Sequence, residues 1–247
     1  MSGRIAVVTG AAGGLGSAFV RALLSQGEVV VGVDVSGEGL ARLGRDLAPL
    51  AGEGFHEEEA DLTVPIEVAA FFGRVAERYG GVDILVNNAG TCVMTDFLEI
   101  PAEEFHRQMA VNFDSAFYCC QRAIPLMLHR PGVKKIVNLS SNGAYNFDVF
   151  DPAHYRASKA ALDNLTKHLA RRYAREGIAV NSIAPAMTRT PLFGVVSPEV
   201  LEKALEGMPR GAMEASEIAA WVAFLVSPAG DCCSGNVIIL NQGRDVR

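Results

Sequence analysis

Short apolar, β-branched runs recur along this chain at 5–9, 29–33, 84–87, 135–139, 179–183 and 237–240, with a weaker, acidic run at 55–60. Between them lie stretches with helical spacing of apolar residues, at 15–25, 40–50, 66–79, 102–127 and 157–175. No other feature restricts the fold as much. Runs this short, alternating with amphipathic helices, bury both strand faces only as βαβ units of a parallel sheet covered on two sides, with right-handed crossovers. No repeat, low-complexity linker or change of composition divides the chain, so one domain over residues 1–247 is expected. The least regular stretch, 185–211, carries Pro191, Pro198 and Pro209 around a short helical piece at 198–206. A segment of that kind in a compact domain is expected to be a substrate loop.

Composition narrows the partners. A chain of 247 residues that is 49% hydrophobic can bury a sizeable core. Its formal net charge of −6 argues against a nucleic-acid partner, which calls for a basic face. Lys167, Arg171, Arg172 and Arg175 cluster near the end of a helix, where they complement its dipole as a solvated face. The apolar run at 218–226 is too short to span a bilayer, and no export signal opens the chain, so no membrane partner is expected. The five cysteines, Cys92, Cys119, Cys120, Cys232 and Cys233, are odd in number and form no C-x-x-C pair. Neither a disulfide framework nor a metal site is favoured, and a reducing, cytoplasmic setting is expected.

The stretch IAVVTGAAGGLG runs the first strand into Gly10, Gly13, Gly14 and Gly16, with a helix opening at Leu15. Bare backbone lets N–H groups approach a ligand closely, and the helix N-terminus adds unpaired donors and partial positive charge suited to a pyrophosphate. Asp34 ends the second strand, 18 residues beyond Gly16. A carboxylate there accepts hydrogen bonds from adenosine ribose hydroxyls and repels a 2′-phosphate. With no basic residue after it until Arg42, the pattern favours NAD over NADP.

In HYRASKAAL, Tyr155 and Lys159 are four residues apart on a helix and so share a face. An ammonium several ångströms from a phenol, at an effective dielectric of about 20, lowers the phenol pKa by roughly two to three units, into the range of a working base. Upstream, KKIVNLSSNG ends a strand with Ser140 and Ser141, of which only one should face the crevice. Asn112 is a polar residue within an apolar helical stretch, where its amide needs partners.

Together these residues resemble the short-chain dehydrogenase/reductase family, nearly from end to end. TGAAGGLG matches its cofactor loop, DILVNNAG its NNAG strand, ADLT its adenine-side acid, and NSIAPAMTRT the segment that holds the nicotinamide carboxamide. The resemblance implies a doubly wound Rossmann fold around a mostly seven-stranded parallel sheet. It implies a catalytic tetrad of Asn112, Ser141, Tyr155 and Lys159. Cofactor contacts are implied for Gly10, Gly13, Gly14, Leu15, Gly16, Asp34, Asp61, Leu62, Asn88, Ala89, Gly90, Tyr155, Lys159, Pro185, Thr188 and Thr190. Dimers or tetramers through the helices at 102–127 and 157–175 are common in the family, and a homotetramer is expected. Three departures stand out. The interval from Ser141 to Tyr155 is one residue longer than usual, which leaves Ser140 as the alternative to Ser141; Ala186 stands where glycine is frequent; and IILNQG replaces the frequent ending VDGG.

The expected reaction is reversible hydride transfer between NAD and a secondary alcohol or ketone. Tyr155 exchanges the proton, Lys159 lowers its pKa and holds the ribose, Ser141 polarises the substrate oxygen and Asn112 supports a proton relay. The expected pocket wall is mostly apolar (Val93, Met94, Ala144, Tyr145, Phe147, Phe150, Met187, Phe193), with Asn142 and His154 as polar contacts. Asn142, Tyr145, His154 and Met187 are the chief candidate substrate contacts; Arg189 is read as an outward, solvated side chain. Two other readings stand beside this one: a 3-oxoacyl-thioester reductase of acyl-carrier substrates, and a silent dinucleotide-binding sensor.

Overall fold

A computed structural model describes residues 3–146, 152–191 and 197–244. Strands β1 (Ile5–Thr9), β2 (Val29–Asp34), β3 (Phe55–Glu59), β4 (Ile84–Asn87), β5 (Lys134–Leu139), β6 (Ile178–Pro185), β7 (Thr188–Arg189), β8 (Met213–Glu214) and β9 (Val237–Leu240) follow one another along the chain. They are interleaved with helices α1 (Gly14–Ser25), α2 (Gly37–Ala51), α3 (Pro65–Tyr79), α4 (Ala102–Met109), α5 (Ser115–Leu128), α6 (Ala153–Tyr173), α7 (Pro198–Leu205) and α8 (Ala215–Val226). Seven strands form one sheet in the order β3-β2-β1-β4-β5-β6-β9, every neighbouring pair parallel. This is the doubly wound Rossmann architecture.

Strand alternation explains the two helical layers. In β1, Ala6 and Val8 point into a core with Phe19, Val20 and Leu23 of α1, Leu40, Leu43 and Leu47 of α2, and Ile218, Val222 and Leu225 of α8. Val7, between them, points the other way, into Val68, Phe71 and Phe72 of α3 and Cys119, Ala123 and Met127 of α5. Burial on both faces is why these strands read as continuous apolar runs. The acidic β3 differs because it is one of the two edge strands and partly exposed.

The strand order reverses direction between β1 and β4, which opens a crevice at the carboxyl ends of the strands. Two features of that end depart from the expected elements. The stretch 102–127 is not one α-helix: α4 and α5 are joined by a π-helical turn, Ala110–Asp114. Within it Ser115 Oγ donates to the Val111 carbonyl at 2.7 Å, and the Asn112 side chain is drawn to Thr91 and Ser158. The substrate loop, in turn, is pinned near both ends. β7 pairs with β8, and the Met213 N–H donates to the Met187 carbonyl at 3.0 Å.

Candidate active site

The glycine loop connects β1 to α1, and its Gly10, Gly13, Gly14 and Gly16 present bare backbone to the crevice. Gly10 has φ = 62°, a conformation L-residues rarely adopt. A Cβ on Gly16 would lie 2.0 Å from the Gly10 carbonyl, so α1 can sit this close to the strand end only with glycine there. The loop is braced from both sides. Asp34 accepts from the Ala12 N–H at 3.0 Å through Oδ2 and from the Ser36 N–H at 3.0 Å through Oδ1. Thr9 Oγ1 accepts from the N–H groups of Asn88 (2.9 Å) and Ala89 (3.0 Å), while Asn88 Nδ2 donates back to the carbonyls of Thr9 and Gly10. Asp61 closes its own turn, Oδ1 accepting from the Thr63 N–H at 2.9 Å and hydroxyl at 2.7 Å.

One cavity of about 640 Å³ lies over this frame, and the glycine loop, Tyr155 and Lys159 line it together. Of the residues expected to hold a cofactor, it brings together Gly10, Gly13, Gly14, Leu15, Gly16, Asp34, Asp61, Leu62, Asn88, Ala89, Gly90, Tyr155, Lys159 and Thr190. Pro185 and Thr188 are not in its lining. Pro185 ends β6 beside Leu240, and the Thr188 hydroxyl donates to the Ala186 carbonyl at 3.0 Å.

Helix α6 places Tyr155 and Lys159 on one stripe, with Nζ 5.9 Å from the phenol ring centre. Lys159 is buried and donates to the Leu139 carbonyl at 2.7 Å. Burial pulls its pKa down to about 8, against the opposing pull of Asp163 and, more weakly, Cys92. Asn112 is spent on a clamp: its Oδ1 accepts from the Thr91 N–H at 2.7 Å, and its Nδ2 donates to the Thr91 carbonyl and to Ser158 Oγ, each at 3.0 Å.

The two serines separate clearly. Ser140 lines the cavity, but its Oγ donates to the buried Asp163 at 2.8 Å; Ser141 is not in the lining. Ser141 caps the following turn, its Oγ accepting from the Gly143 N–H at 3.0 Å. The expected substrate contacts are mostly engaged inside the protein. The Tyr145 hydroxyl bonds Asp163, and Asn142 Oδ1 lies 3.4 Å from the Asn241 amide. His154 is buried with Nε2 3.1 Å from Glu104 Oε1, whose carboxylate also accepts from Thr95 Oγ1 at 3.0 Å. Met187 packs against the α1/α8 core, and Arg189 faces outward beside Glu214, 3.0 Å away. Phe147, Phe150 and Phe193 lie outside the described residues.

The sequence profile of a family described as enoyl-(acyl carrier protein) reductase matches residues 10–245. The chain is a short-chain dehydrogenase/reductase. It is 33% identical to the 2,3-dihydroxy-2,3-dihydro-p-cumate dehydrogenase of Pseudomonas putida, over 98% of this chain and 95% of that protein. Its fold is similar to the NADP active-site complex of Pseudomonas aeruginosa RhlG (TM-score 0.91, 29% identity, covering 99% of this chain and 97% of the other). It is also similar to the 3-ketoacyl-(acyl-carrier-protein) reductase of Brucella melitensis complexed with NADH (TM-score 0.90, 26% identity, 99% of both chains). This short-chain dehydrogenase/reductase is therefore an oxidoreductase acting on CH–OH groups with a nicotinamide dinucleotide.

Arg107, Ala110, Val111, Ser115 and Thr91 also line the cavity, and sequence reading missed them. With 102–127 taken as a single α-helix, the face of α4 that meets the crevice could not be assigned. The sequence showed only that the Asn112 amide needed partners; the turn toward Thr91 and α6 that supplies them is seen in the fold alone. Among the described residues, no helix is long and apolar enough to cross a membrane.

Proposed function

We propose that this chain interconverts a secondary alcohol and a ketone with NAD(H), on a small to medium, fairly apolar substrate. One observation carries the reading: the bare glycine loop and the Tyr155–Lys159 pair line the same cavity. The cradle left by Gly10 and Gly16 suits a pyrophosphate, and the group bound there supplies or accepts the hydride. The chain's own residues handle the proton. Tyr155, its phenolate favoured by the Lys159 ammonium, takes the alcohol proton as the C–H bond gives up its hydride, and returns it in the reverse direction. Ser141, with its oxygen already accepting from Gly143, keeps its O–H to polarise the substrate oxygen. Asn112 contributes by fixing Thr91 at the cavity wall.

NAD is favoured over NADP in this reading because Asp34, at the end of β2, lines the cavity, and a carboxylate beside the adenosine ribose would repel a 2′-phosphate. The decisive test of the reaction is Tyr155→Phe. Turnover is expected to fall at least about 100-fold with NADH binding retained, and turnover at the wild-type rate would overturn the assignment.

The 3-oxoacyl-thioester reductase reading has support of its own in the description of the matched family and in the Brucella neighbour. A panel pairing simple secondary alcohols with acyl thioesters separates the two. A kcat/KM for acetoacetyl-thioester with NADPH above that for every alcohol with NAD would install the second reading. A silent sensor is excluded by turnover of any alcohol.

We also place the enzyme in a reducing cytoplasm, on its unbridged cysteine spacing, and as a single domain and homotetramer. Phe105, Phe117 and Leu128 stand exposed on α4 and α5, on the elements expected to mediate self-association. Light scattering of the purified protein tests this, and a monomeric mass at micromolar concentration refutes it.

A further inference from the structure

One helical turn beyond Lys159 lies Asp163, a carboxylate only 3% exposed. A buried carboxylate is strongly unfavourable unless paired and hydrogen-bonded, and this one is satisfied from several elements at once. Ser140 at the end of β5 donates to Oδ2 at 2.8 Å, and Ser182 on β6 donates to Oδ1 at 2.6 Å. The Tyr145 hydroxyl, from the turn after Ser141, makes a third bond. Helix α6 itself brings the Lys159 ammonium, the cation that acts on this carboxylate.

The arrangement brackets a short piece of backbone. The Leu139 carbonyl receives the Lys159 ammonium at 2.7 Å. The next residue, Ser140, is held through its hydroxyl by Asp163 and through its N–H by the Ile183 carbonyl at 2.8 Å. Ser141 follows directly. Stability alone does not call for such a cluster, since apolar residues of like volume serve a core at least as well as a buried charge pair.

We propose that Asp163 is a positioning residue of the catalytic machinery: it fixes the Ser140–Ser141 corner and Tyr145 against α6, and is the countercharge that keeps the Lys159 ammonium beside Tyr155. The proposal rests on the oxidoreductase reaction above. The groups facing Lys159 are Asp163 and Tyr155 from α6 and Cys92 from the loop after β4; those facing Asp163 are Ser140, Tyr145, Ser182 and Lys159. Asp163 is the only carboxylate in either set.

Asp163→Asn keeps the size and removes the charge. Without its countercharge Lys159 sheds its proton at lower pH, so the alkaline limb of kcat against pH is expected to move down by about one to two units. A limb at the wild-type position in a folded variant overturns the role. A second measurement needs no substrate: melting temperatures of Asp163→Asn, Lys159→Met and the double variant. Removing the stranded ammonium should rescue the fold, placing the double variant about 3 °C or more above Asp163→Asn. Additive losses, or failure of both the single and the double variant to fold, assign Asp163 to packing and overturn the proposal. Lack of any Tyr155-dependent substrate would count against the reaction and leave this thermal cycle to decide Asp163 on its own.

Discussion

Lys159→Met isolates the electrostatic part of the chemistry, because methionine keeps the length and loses the charge. The ammonium lies 5.9 Å from the phenol ring centre, within a buried site. At that separation and an effective dielectric of about 20, a unit charge stabilises the phenolate by roughly 3 kcal/mol, or about two pKa units. In the variant the phenol therefore reverts towards its ordinary value near 10, and only about one molecule in a hundred of those ionised in wild type stays so near neutrality. The measurement is kcat for alcohol oxidation across pH 6–10 at saturating NAD. The expected result is a fall of about 100-fold near pH 7, shrinking steadily as pH rises through the new phenol pKa. A uniform loss at every pH would mean that Lys159 acts only by holding the ribose. An acid limb with the wild-type midpoint would refute the electrostatic argument outright.

Lysine ionisation also has a stability consequence. The Lys159 pKa is lowered from 10.5 to about 8 in the folded chain, so between those values the unfolded chain binds more protons and stability rises with pH. Urea unfolding at pH 8 and pH 10 should show a rise on the order of 2 kcal/mol that Lys159→Met abolishes; an equal rise in the variant would assign it to other groups. Asp34→Ala removes the carboxylate that repels a 2′-phosphate, and the NADP-to-NAD ratio of kcat/KM should rise at least about tenfold; an unchanged ratio removes Asp34 from cofactor choice. Gly16→Ala forces a Cβ to within 2.0 Å of the Gly10 carbonyl, so NADH affinity measured by fluorescence should fall more than about tenfold, and wild-type affinity would show that the loop is not the cradle. Asn112→Ala releases both backbone groups of Thr91, and a rise in KM for NAD larger than the fall in kcat is expected; the reverse split would favour a direct proton-relay role.

How much of this was legible in the sequence follows from where each element gets its stability. Strands buried on both faces must be apolar throughout, so five of the six apolar runs announced themselves that way; the sixth, β9, is an apolar edge strand. The acidic 55–60 run was weak because β3 is an edge strand. The cofactor end was legible because backbone approach demands glycine, and the required spacing is local: Gly10 and Gly16 meet each other across a single turn. The π-helical turn at 110–114 was hidden, because its cause is tertiary. Nothing in AVNFDS marks a π turn until Asn112 is seen bonding Thr91 and Ser158, 21 and 46 residues away.

The substrate end resisted for a related reason. Tyr145, Asn142 and His154 are residue types that serve equally well at a pocket wall or inside a buried network, and local sequence does not say which. The choice is made for Tyr145 by Asp163 and for Asn142 by Asn241, each supplied by a different element, while His154 is buried beside Glu104. A buried carboxylate at 163 draws in every hydroxyl within reach, and that includes Ser140 and Tyr145. The ambiguity between the two serines and the inward bond of Tyr145 thus share one origin. The carboxylate that engages the Ser140 hydroxyl is what leaves Ser141 as the substrate-facing hydroxyl in the proposed mechanism. That places the division of labour at the end of β5 under the control of a residue that never enters the cavity.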